Sequence, residues 1–242
     1  MDKEQAKEKF IEIQKLFTKM SHEIMCLVVP SFYIWHTLTF SRSTIETDKE
    51  TAEKNAKTMN LYKNFLMPTE QSHLHTFVIN IMKFYDKDNR ALSFSNLIKS
   101  IRENEGSFTP EVLKSIHPHL EQISVNTDNY IPIKEEDLKY VESIIDKHKD
   151  LISNLKDIRD KQFAHTDIKY ISGTFVPNQV EELIIDTQSI FNRLSSSFDR
   201  SSTMWDHIKE DSIRDTEFLF KNLERGEIVR LEEIKKKWEN YE

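Results

Sequence analysis

"NLKDIRDKQFAHTD", residues 154–167, closes a long amphipathic pattern, and its reading decides how the chain folds. The pattern predicts a helix over about 134–165. At 100° per residue, Val141, Ile145, His148, Ile152 and Leu155 fall on one stripe. Steps of four and three carry that stripe to Arg159, 18 residues after Val141 and five full turns on. Arg159 is therefore expected at the middle of the face that a helical bundle would bury. An unpaired guanidinium there would cost several kcal/mol, and it cannot shed its proton. Either the helix end opens into a cleft or an anion meets the guanidinium. The candidate anions are a carboxylate and a phosphate, both matched by the planar donor fork.

His165 follows six residues on, about 120° around the axis and roughly 9 Å along it if the helix continues. An imidazole titrates near neutral pH and suits proton transfer. Arg159 and His165 together fit phosphate binding coupled to proton transfer, and two copies about a dimer axis would supply a second of each. Two plainer readings stay open. Arg159 pairs with an internal Asp or Glu and sets helix register, and His165 caps the helix C-terminus.

Composition bounds the rest. The 242 residues hold three glycines and six prolines, too few for the tight turns of a strand-rich fold. The expected fold is all-α, one helical-bundle domain of six to eight helices over residues 1–242. A net charge of −7 gives no broad hold on nucleic acid, so any such contact must be local. The one cysteine, Cys26, excludes an intrachain disulfide and is read as a small buried hydrophobe. No apolar leader follows the charged N-terminus, and Pro30, Ser31 and His36 interrupt the apolar run 24–40. That run is read as core, with no membrane span and a cytoplasmic location.

Element by element, the first helix is expected over about 3–28 with Pro30 ending it, and residues 31–45 lean to helix. A helix over 48–66 is expected to break and restart after Pro68, capped by Thr69. Ser93 or Ser95 should cap a short helix, and Thr109 followed by Pro110 should start another. Residues 117–133 read as the longest loop. A helix carrying Val180, Leu183, Ile184, Ile190, Phe191 and Leu194 follows. The next is expected to stop at Gly226, before a separate charged tail helix.

Other chemistry is sparse. His73 and His75 fall on different helix faces and cannot chelate together. His117 and His119 flank Pro118 and would hold a metal only with a third ligand. Three scattered glycines form no phosphate loop. No cofactor and no metal is expected.

"IRDKQFAHTD" resembles the signature of the HEPN superfamily: an arginine, a polar residue directly after it, and a histidine a few residues on. Arg159, Asp160 and His165 match, with five residues between the arginine and the histidine. The "AHTD" ending, together with "FYDKDNRALSFSNLIKSI" at 84–101, is similar to the AbiU-type branch associated with bacterial abortive infection. The resemblance covers roughly residues 60–200, an HEPN-like core on which N-terminal helices 1–60 and C-terminal helices 205–240 would pack. It implies an all-α homodimer whose two motifs meet in a cleft, acting as a metal-independent endoribonuclease on RNA. Carried over, His165 is the proton-transfer group for attack of a ribose 2′-hydroxyl. Arg159 stabilises charge on the phosphate, and Asp160 orients one of them. In a toxin–antitoxin or phage-defence setting an antitoxin or regulatory protein would be a further partner. The alternative is a non-catalytic HEPN module binding nucleotide, RNA or a partner protein.

Overall fold

The computed structural model describes residues 2–117, 130, 132–164 and 174–239. Among these the fold is all-α, with no strand. Helix α1 (Lys3–Glu23) starts at Asp2, whose carboxylate accepts the Gln5 amide at 2.8 Å. That contact satisfies one of the orphan amides of the first turn. Contrary to expectation, Pro30 does not end the first helix. A π-helical turn at Ile24–Val28 leads into α2 (Val29–Phe40), which contains Pro30. The wide turn loosens the helix where the proline ring would meet the carbonyl four residues back.

Lys3–Phe40 is long and apolar enough to cross a membrane by length and composition alone. In its apolar half Ile24, Val28, Val29, Phe32 and Leu38 are buried, while Met25 is exposed. Cys26 corrects another expectation: it lies exposed, its thiol 3.6 Å from the His22 ring.

Helix α3 (Lys49–Leu61) and α4 (Lys63–Phe84) are separated at Tyr62, not at Pro68. Pro68 sits in the second turn of α4, and Thr69 donates its hydroxyl to the Phe65 carbonyl at 2.7 Å instead of capping. Helix α5 (Phe94–Glu103) is capped by Ser93, and α6 (Pro110–Ile116) by Thr109 ahead of Pro110, as expected. The long predicted helix is two: α7 (Glu135–Lys147) and α8 (Lys149–Ile158), joined at His148 and followed by a second π-helical turn at Arg159–Ala164. Helix α9 (Pro177–Phe198) buries the six apolar residues foreseen for it. Helix α10 (Asp206–Glu239) runs unbroken through Gly226.

Glycine stops a helix when it takes the left-handed conformation, and among the described residues no glycine has positive φ. At Gly226 an added Cβ would meet nothing within 4 Å. Gly226→Ala is therefore expected to stabilise the protein by about 1 kcal/mol. A higher urea midpoint at unchanged slope would register it.

The chain divides into two compact units, residues 1–28 with 78–205 and residues 29–77 with 206–242. The first is centred on phenylalanines. Phe198 stacks on Phe10 at 4.3 Å and on Phe17 at 4.7 Å, with Phe108 edge-on at 5.7 Å. The second packs Leu38, Met59, Leu66 and Phe220, with Phe32 edge-on to Phe77 at 5.3 Å.

Candidate functional site

Arg159 opens the π-helical turn at the end of α8, next to buried Ile158. It lies at the margin of the packed face, not at its middle as predicted, with its side chain 19% exposed. The stripe carried from Val141 does not reach Arg159 in phase, because the helix is interrupted at His148 (φ −98°, ψ 12°).

Two carboxylates hold the guanidinium. Nε donates to Asp160 at 2.7 Å, and Nη1 donates to Asp86 at 3.0 Å. Among the described residues nothing bonds Nη2. Of the two anions that the sequence allows, the carboxylate is the one in place. Asp160 is the more open partner, 43% exposed against 26% for Asp86. His165 lies outside the described residues.

Asp86 is well positioned. It follows α4, and its carboxylate also accepts the Asp88 amide at 3.1 Å. Asp88 in turn accepts from the Arg90 amide and side chain, and Asn96 ties the turn to the Asp88 and Ala91 carbonyls at 2.8 Å each. The preceding Tyr85 is buried, its hydroxyl 2.7 Å from that of Thr187 on α9. Thr187 gives its own proton to Leu183, so Tyr85 donates. Burial pushes the Tyr85 hydroxyl up, and it stays protonated. The Asp86 carboxyl is held below the usual range by the Asp88 amide and, against burial, by Arg159. The guanidinium is held protonated more firmly than usual, first by Asp160 and then by Asp86. The sequence gives no link between residues 86 and 159. The acidic turn stands out there, but its partner does not.

A second polar cluster was also not foreseen. His148, read as part of an apolar stripe, is buried and places Nε2 2.7 Å from Asp186 Oδ2 on α9. Lys147 donates to the same oxygen at 2.8 Å and lies 2.7 Å from Glu182. A cavity of about 390 Å³ is lined by Lys147, His148, Asn154, Gln179 and Glu182. The cluster pins the α7–α8 junction to α9. Burial alone would raise the Asp186 carboxyl, but hydrogen bonds from Lys147 and His148 outweigh it and lower it. A carboxyl depressed on folding contributes stability above its unfolded value, and the contribution is lost as pH falls through the folded one. Asp186→Asn is thus expected to cost about 2 kcal/mol at pH 7. The cost should shrink below about pH 4. Urea titrations at pH 7 and pH 3 check this, and equal losses at both would remove the ionic account.

The remaining histidines are dispersed. His117 lies 2.9 Å from the Gln14 amide, and His119 lies outside the described residues. His73 approaches Ser31 at 3.4 Å, and burial lowers its pKa. Among the described residues no group of three His, Cys, Asp or Glu side chains is placed to hold a metal ion.

The chain is all-α and stations an arginine and its polar neighbour at the end of a long helical pattern, and the family model that it matches is of the HEPN class. More narrowly, it belongs to the AbiU2 family, whose model matches residues 4–219. No curated protein and no solved structure matches it.

Proposed function

We propose that this chain is a metal-independent endoribonuclease of HEPN type. It works in the cytoplasm as a homodimer, in phage defence or a toxin–antitoxin pair. The observation that carries the reading is the Arg159 guanidinium, held through Nε and Nη1 by Asp160 and Asp86, at the head of the motif turn of an AbiU2-family chain. Among the described residues two donors are occupied, and Nη2 is the one that a substrate oxygen would take. The Asp160 contact is between chain neighbours and substantially exposed, worth about 0–1 kcal/mol, so an RNA phosphate can replace it. Asp86 then keeps the fork aimed. His165 moves the proton of the ribose 2′-hydroxyl, and Arg159 stabilises the charge gathering on the phosphate.

The test is RNA incubated with the pure protein in EDTA. Cleavage should persist, leave 2′,3′-cyclic phosphate ends, and vanish in His165→Ala. Cleavage that needs added divalent metal would overturn the proposal.

One observation favours a second reading. The two carboxylates already neutralise the guanidinium, as they would in a non-catalytic HEPN module that binds a partner protein, nucleotide or RNA. That reading expects no turnover under any of these conditions.

A further inference from the structure

The inward face of α10 follows Thr216, Phe220, Leu223 and Glu227, in steps of four, three and four. Thr216 and Phe220 are buried, and Leu223 packs on the Leu38, Met59 and Leu66 cluster. The same face continues as Leu231, Ile234 and Trp238, and there it is open, at 50%, 37% and 72% exposure. Alternating steps of three and four make a narrow seam suited to one partner helix. The segment is already helical as the extension of α10, so docking has little backbone left to order.

The charges beside the seam say which helix fits. Projected at 100° per residue, Arg230 and Lys237 flank the seam on one side and Lys235 on the other. Glu232 and Glu233 point away from it. Arg230 is paired with Glu227 at 2.7 Å, while Lys235 reaches Glu239 only at 3.9 Å. We propose that the distal half of α10 binds an acidic amphipathic helix of a partner protein. The partner's apolar seam covers Leu231, Ile234 and Trp238, and its glutamates meet Lys235 and Lys237. A second copy of this chain would set basic flank against basic flank in the parallel and the antiparallel arrangement alike. A lipid surface calls for a wider apolar face.

The test uses the full chain and two fluorescein-labelled helical peptides with identical leucine seams, one flanked by glutamate and one by lysine. Fluorescence anisotropy should show saturable binding of the glutamate peptide and at least about tenfold weaker binding of the lysine peptide. Lys235→Glu with Lys237→Glu should reverse that preference, and Leu231→Asp should abolish both. All three positions are exposed, so the variants should melt as the parent does. Equal binding of the two peptides, or binding untouched by Leu231→Asp, would overturn the proposal. Light scattering that shows a dimer lost in Leu231→Asp would give the face to a second copy instead. Sedimentation with phosphatidylglycerol vesicles and no peptide binding would give it to a membrane.

Discussion

Arg159→Ala is expected to lower RNA cleavage by about two to three orders of magnitude in kcat, the usual consequence of removing one donor aimed at developing negative charge. The effect should fall on kcat more than on KM, because the guanidinium matters most when the phosphate gathers charge. Arg159→Lys should recover little, since an ammonium cannot hold Asp86 and a phosphate along the fixed directions of one plane. Folding should change much less. The ion pairs are partly open to solvent, so their loss is worth about 1 kcal/mol. A variant that unfolds under ordinary conditions, or that cleaves at the parental rate, would show that Arg159 acts only as a brace. Single-turnover assays alongside urea titrations separate the two outcomes.

The largest expected effect on stability lies at Phe198. Its ring is fully buried at the end of α9, stacked on Phe10 and Phe17 and edge-on to Phe108. Phe198→Ala removes a ring that its neighbours, on α1 and ahead of α6, cannot collapse to replace. The expected loss is about 3–5 kcal/mol, or roughly 10 °C in Tm for a chain of this size. The Tyr130 hydroxyl reaches the backbone carbonyl of Phe198 at 2.8 Å and should be retained. Phe198→Leu should recover more than half of the loss. Calorimetry of both variants checks this, and a change below about 1 kcal/mol would mean that the cluster is loosely packed.

The sequence by itself determined the all-α class, because scarce glycine and proline together with runs of period 3.6 leave no other economical fold. It also determined the family, since Arg159, Asp160 and the acidic turn before α5 were legible as residue types at a spacing. The cap at Thr109 and the inward face of α9 were equally plain, because both are set within a few neighbouring residues.

Only the tertiary structure decided where the helices bend and what Arg159 touches. Pro30 and Gly226 were read as stops because propensity prices a residue in an isolated helix, whereas here a π-helical turn and favourable neighbours carry the helix through. Asp86 meets Arg159 across 73 residues, and Asp186 meets His148 across 38, through turns and packed faces that no local pattern encodes. The physical reason is one of range. Helix formation is fixed by neighbours within about a turn, so a sequence displays it. An ion pair between distant segments depends on how whole helices pack, and a break such as the one at His148 changes which way the side chains beyond it point.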